Sequence, residues 1–258
     1  ARFVVADVVL IHGFPLDASM WDAQVSALVA SGHRVLTPEV GGLGSSSVPA
    51  APADIAAMAQ QVVDAMTDAG LEHAVIGGLS MGGYVAMAML RGAPHMVSGL
   101  VLIDTKASAD DPARRQTRRD TAEHVRREAS TEALARTMPT SLLSATSMRA
   151  NPALAEAVAD RIRAADPEAV AWCQEAMATR PDSLTTLRSA GALPALVMCG
   201  EEDAVTPPAD HAQMVAALRD AGGRPQFVVI PHAGHLAPLE QPERVNDALV
   251  AFLDGTVS

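Results

Sequence analysis

A lone serine lies among glycines in Gly77-Gly78-Leu79-Ser80-Met81-Gly82-Gly83. Glycine loses more backbone freedom on folding than any other residue, so such a cluster marks chain that bends sharply or is approached closely. The apolar run Ala74-Val75-Ile76 precedes it and the helix-like run Tyr84–Leu90 follows. A strand, a G-x-S-x-G turn and a helix make the setting of a nucleophile elbow. The serine rides on a tight turn, its neighbours two positions away must lack bulk, and its hydroxyl stands above the carboxyl ends of the strands, where open α/β sheets bind ligands. The helix that follows aims free N–H groups and its positive dipole end at the same spot.

A hydroxyl needs a base, and the base needs an acid to orient it. For this elbow the chain order is serine, then Asp or Glu, then His. "VMCGEEDAVTPP" places Asp203 after an apolar strand ending at Cys199, with Glu201, Glu202 and the earlier Asp104 as alternative carboxylates. "VVIPHAGHLAPLEQPERV" places His235 after a strand ending at Ile230. His232 competes, but directly after Pro231 it reads as loop support. His12, His33, His73, His95, His124 and His211 read as ordinary loop, cap or surface histidines. Acyl transfer also needs donors for an oxyanion. "HGFP", residues 12–15, follows the first central strand, so the Phe14 N–H can point into the site beside the Met81 N–H.

The elements that must position these groups alternate along the chain. Strand-like runs fall at Val8–His12, Arg34–Thr37, Ala74–Leu79, Val97–Asp104, Ala195–Cys199 and Gln226–Ile230. Helical patterns fall at Met20–Ser31, Ile55–Met66, Met81–Arg91, Ala209–Ala221 and Pro242–Leu253. Short apolar strands separated by helices indicate a parallel sheet covered on both faces. Between about Ala107 and Ser189 the rhythm changes to helices broken at Pro139, Pro152, Pro167 and Pro181, which reads as a helical insertion.

Composition narrows the function classes. A formal net charge of −11 argues against nucleic acid, whose phosphates need clustered Lys and Arg. One basic cluster, Arg114, Arg115, Arg118, Arg119, Arg126 and Arg127, is interleaved with acids at helical spacing and reads as a solvated helix face. No apolar run approaches the roughly 20 residues that cross a bilayer, and no membrane partner is expected. No secretion signal opens the sequence, though a mature form with its signal removed stays open. Cys173 and Cys199 show neither CxxC spacing nor a Cys/His cluster, which argues against zinc and against a disulfide framework. A reducing, cytoplasmic setting is the expectation.

With these motifs in place the sequence resembles the α/β-hydrolase superfamily, and within it the small bacterial esterase and lactonase group that includes 3-oxoadipate enol-lactonase-like proteins. The residues that carry it are "HGFPLDASMW" (12–21), "GLSMGGYVAM" (78–87), "GLVLIDT" (99–105), "GEEDAVTPP" (200–208) and "AGHLAPLEQPERVNDAL" (233–249). The resemblance implies a Ser80–His235–Asp203 triad, oxyanion donors at Phe14 and Met81, no cofactor and no metal. It also implies a helical cap, residues 107–189, over a core of residues 1–106 and 190–258. Two departures stand out. Relatives begin with an antiparallel hairpin for which Ala1–Asp7 is too short, which leaves a longer native start or a missing hairpin. The Asp-x-Arg-Gly-type loop of many relatives reads here as "PEVGGLGSSS", without the arginine.

The expected activity is hydrolysis of a small carboxylic ester or lactone through an acyl-enzyme. The same triad serves C–C bond hydrolysis, perhydrolysis or amide hydrolysis, and a non-catalytic ligand-binding protein on the same scaffold is the alternative outside enzymes. Met138, Leu142, Leu143 and Trp172 of the insertion are candidate pocket residues, with Trp172 chosen as the substrate contact. Few charges are expected inside the site, so a largely apolar acyl group is anticipated and no anion-binding arginine is assigned.

Overall fold

The computed structural model describes residues 5–50 and 52–256; residues 1–4, and with them most of the short start weighed against a hairpin, lie outside the described residues. In chain order the elements are β1 (Asp7–Ile11), α1 (Asp22–Ala30), β2 (Arg34–Leu36), α2 (Ile55–Asp68), β3 (Ala74–Leu79), α3 (Met81–Gly92) and β4 (Val97–Ile103). Six helices follow: α4 (Pro112–Glu128), α5 (Glu132–Leu142), α6 (Ala145–Ala150), α7 (Pro152–Ala164), α8 (Pro167–Thr179) and α9 (Leu184–Arg188). The chain ends through β5 (Ala195–Gly200), α10 (Pro208–Asp220), β6 (Gln226–Ile230), α11 (Ala237–Glu240) and α12 (Pro242–Thr256).

The strands form one sheet in the order β2-β1-β3-β4-β5-β6, every pairing parallel. Successive strand side chains point to opposite faces, and here both faces are covered. Val9 and Ile11 join the core under α2, α3 and α10, whereas Val8 and Leu10 join the core under α1 and α12. Leu100 and Leu102 divide from Val101 and Ile103 in the same way. Two buried faces need apolar residues at every strand position, which is why these strands read as continuous runs rather than alternations. The edge strands β2 and β6 are less covered, and Arg34 of β2 is exposed. β6 leaves Phe227 and Val229 exposed.

Because all strands run the same way, their carboxyl ends share one rim, and the loops after β1, β3, β4, β5 and β6 meet there. Between β4 and β5, Asp111 and Asp166 cap α4 and α8 by accepting backbone N–H bonds. Pro152 and Pro167 each start a helix, where the missing N–H costs nothing. Pro139 does not break the chain as expected; α5 runs through it to Leu142. It lies in the last turn, so little helix remains beyond it to disrupt.

The basic cluster is also more than a solvated face. α4 packs along α8, and Arg126 forms ion pairs with Glu168 and Glu175 of that helix. Arg118 is buried and bonds Asp110.

Candidate active site

At the end of β3 the backbone of Ser80 adopts φ 54° and ψ −113°, a positive φ that β-carbon-bearing residues rarely hold. The neighbours explain how the turn closes. A Cβ built on Gly78 would lie 2.1 Å from the Gly82 carbonyl oxygen, and one on Gly82 would lie 2.1 Å from that of Ile11. Only glycine fits at either place. The turn is bonded on both sides: the Ser80 N–H donates to Ile103 O (3.0 Å), and Ser80 O accepts from the Thr105 hydroxyl (2.8 Å).

The half-buried hydroxyl lies 2.9 Å from His235 Nε2, and His235 Nδ1 lies 2.9 Å from Asp203 Oδ2. Asp203 is further bonded by the N–H groups of Val205 and Thr206 and by the Thr206 hydroxyl (2.7 Å). Burial works against its negative charge, but the imidazole and the Thr206 donors outweigh burial and hold the carboxyl below its ordinary range. With Asp203 ionised, Nδ1 carries the proton and Nε2 is left to face the serine.

The other carboxylates serve elsewhere. Asp104 accepts from Gly200 N–H (2.7 Å) and Ala237 N–H (3.1 Å), tying the β5 and β6 loops together. Burial, and then the charge of Asp203, pushes its carboxyl well above the ordinary range. Glu201 accepts from the His232 N–H, and Glu202 from the Thr146 hydroxyl. His232 is exposed, with φ 63°, and its carbonyl accepts from Ser144 and Ser147.

Two contributors carry no motif. Glu240 accepts from the N–H groups of Gly234, Leu236 and Ser144, which clamps the loop bearing His235. Thr206 completes the cradle of Asp203. An acid five residues after a candidate histidine, and a hydroxyl three after a candidate aspartate, are the only traces of them in the sequence.

His12 is buried, with Nδ1 facing Gly13 O (3.1 Å) and Nε2 accepting from the Val40 N–H (3.1 Å). It thereby pins the loop after β2. Glu39 secures the same loop from its other end, accepting from Ala18 N–H, Ser45 N–H and the Ser45 hydroxyl. These bonds hold the glycine-rich loop of residues 38–47.

A cavity of about 490 Å³ opens over Ser80 and His235, lined in part by Phe14, Tyr84, Met138, Leu142, Gln174 and Met177. Phe14 lines the same cavity as Ser80, and Met81, next to the serine in sequence, begins α3, so its N–H has no intrahelical partner. Trp172 is not brought to this cavity. It is buried in the core on α8, and the same helix supplies Gln174 and Met177 instead. Leu143 is likewise buried outside the lining. Nor is the cavity nearly free of charge as expected, for Lys106, Asp111, Arg114 and Arg118 also line it. Among the described residues no three His, Cys, Asp or Glu side chains gather to hold a metal ion. Both cysteines are free and buried, and burial pushes the Cys199 thiol up to about 12. Among the described residues, no helix is long and apolar enough to cross a membrane.

The parallel sheet with helices on both faces is the α/β-hydrolase fold. The chain belongs to the alpha/beta hydrolase fold family, whose pattern matches residues 8–242. Its structure is similar to that of a thermophilic esterase from Thermogutta terrifontis solved with malate bound, at 40% identity, a TM-score of 0.92, and coverage of 98% of this chain and 91% of that one. It is also similar to the enol-lactonase from Burkholderia xenovorans LB400, at 27% identity, a TM-score of 0.85, and coverage of 98% and 93%. Among curated relatives, the dihydrolipoyllysine-residue acetyltransferase component of the acetoin cleaving system of Pseudomonas putida is 29% identical over 95% of this chain. The chain spans only 63% of that protein's length, and 27% and 37% of two other curated relatives.

Proposed function

We propose that the protein hydrolyses a small carboxylic ester or lactone, with Ser80 as nucleophile, His235 as base and Asp203 as orienting acid. The observation that carries this reading is the unbroken line of contacts from the Ser80 hydroxyl through His235 to Asp203, each 2.9 Å long. The esterase and the enol-lactonase among its structural relatives support it.

In the first half of the reaction Ser80 Oγ bonds to the acyl carbon and its proton passes to His235 Nε2. That proton leaves with the alcohol oxygen as the ester C–O bond breaks. Water then attacks the acyl-enzyme, giving a proton to His235, and the acid departs as Ser80 regains its hydrogen. The imidazolium formed in each half is stabilised by Asp203, which stays ionised because its donors favour the charged form. The Phe14 and Met81 N–H groups serve as oxyanion donors, each worth about 3–4 kcal/mol in sites of this type. Residues 107–189 act as a cap on a core of residues 1–106 and 190–258, a division supported by the contribution of α4, α5 and α8 to the cavity wall.

The decisive experiment replaces Ser80 with alanine. The folded variant is expected to lose turnover of 4-nitrophenyl acetate and labelling by a fluorophosphonate. Near-normal turnover by Ser80→Ala overturns the assignment.

A further inference from the structure

The chain as a whole carries a formal charge of −11, yet the wall of the cavity over Ser80 has the opposite sign. Lys106, Arg114 and Arg118 line it, and Asp111 is its single acid among the described residues. Lys106 is also the only lysine in the sequence. Asp111 is already engaged, its Oδ1 accepting the Arg114 N–H as the cap of α4.

Behind the wall, the buried carboxylate of Asp110 is shared by three cations: Lys106 at 3.3 Å, Arg118 at 2.5 Å and Arg180 at 2.8 Å. Arg180 is not part of the cavity's lining. It bonds Met177 O and Ser108 O and stacks over the Tyr84 ring at 4.0 Å. Arg118 is fixed from two more sides by Gln174 Oε1 and Met177 Sδ. One carboxylate against three cations leaves an excess of positive charge. The Lys106 and Arg118 side chains are only 22% and 10% exposed, so water compensates that excess poorly. Such a pre-ordered, under-neutralised cluster beside a nucleophile is built to receive an anion, and a guanidinium with an ammonium suits a carboxylate.

We propose that the substrate is an ester or lactone bearing a second, free carboxylate, which Lys106 and Arg118 bind while Arg114 attracts it at the mouth. Met138, Leu142 and Met177 face the short apolar stretch between the two ends of such a molecule. The proposal rests on the hydrolase reading of Ser80 and adds to it the charge of the substrate.

The test compares mono-4-nitrophenyl glutarate, which carries the carboxylate, with 4-nitrophenyl valerate, which has the same acyl carbon count and no charge. Wild type is expected to favour the glutarate ester by about tenfold or more in kcat/KM, the scale of one charged hydrogen bond. The preference should shrink in Lys106→Gln, in Arg114→Gln, whose exposed site puts folding at little risk, and with added salt. It should persist in Arg119→Gln, an exposed change on the same helix outside the cavity. Valerate turned over as well as glutarate, with activity still dependent on Ser80, overturns the anion proposal and leaves the hydrolase reading intact. If neither ester reacts and fluorophosphonate does not label, the hydrolase reading falls. Calorimetric titration of Ser80→Ala then still decides the pocket: glutarate binding there supports an anion site, and no binding, or tighter binding of inorganic phosphate, overturns the carboxylate assignment.

Discussion

The Thr105 hydroxyl donates a 2.8 Å hydrogen bond to the carbonyl oxygen of Ser80, across from the end of β4 to the turn after β3. The backbone of Ser80, at φ 54°, is thus held from the adjacent strand's exit as well as by its own helix. Thr105→Val keeps the shape and removes the donor. It is expected to cost about 1 kcal/mol of stability in urea titrations and to lower kcat more than it raises KM, since the loss falls on the position of the attacking oxygen.

Asp203→Asn tests the orienting role. An amide in place of the carboxylate favours the wrong imidazole tautomer, and kcat is expected to fall by about 10⁴ with little change in melting temperature beyond the loss of its ion pair. A variant within a few-fold of wild type would instead give the role to another carboxylate, with Asp104 the next to replace.

Glycines in α3 make a contrasting pair. Gly82→Ala would put a methyl 2.1 Å from the Ile11 carbonyl, so β1 and α3 must separate; insoluble or unfolded protein is the expected result. At Gly92, the last residue of the same helix, an added Cβ meets nothing within 4 Å and φ is not positive. Gly92→Ala is expected to stabilise the protein by about 0.4–1 kcal/mol through the unfolded chain's lost freedom. Thermal melts of the two variants check both signs.

Acid stability should report two buried imidazoles. Burial lowers the pKa of His12 and of His211, so both stay neutral in the fold. His12 Nε2 accepts from Val40 N–H and His211 Nε2 from Thr105 N–H, bonds that protonation would break. Below the unfolded value of about 6.5 the unfolded chain binds more protons than the folded one, so stability falls as pH falls. Their contribution is complete above that value and is lost on acidification through the lowered folded values. Melting temperatures are expected to drop from pH 7.5 to 5, and His211→Gln is expected to flatten the slope.

Much of the fold was legible because its strands obey a simple demand. A parallel sheet buried on both faces needs unbroken apolar runs; β3 and β6 have the expected bounds, and β1, expected at Val8–His12, occupies Asp7–Ile11. The turn at Ser80 was legible for a steric reason, since glycines two positions either side have no other use there. What escaped depends on pairs distant in sequence. The placing of Arg118 is set by Asp110 in the preceding loop and by Gln174 and Met177 on α8, which helical spacing within α4 does not reveal. Trp172 stands out in sequence as the insertion's one tryptophan, but it packs into the core while α8 turns Gln174 and Met177 to the cavity. The grip of Glu240 on Gly234, Leu236 and Ser144 likewise joins segments that no local pattern links.

Lys106 offers the chain's single side-chain amine, and it lies in the cavity wall. Reagents that acylate amines, including the active esters used to attach dyes or couple proteins to resins, therefore find no lysine on the outer surface. Coupling through side-chain amines would modify the interior of the pocket rather than a neutral handle.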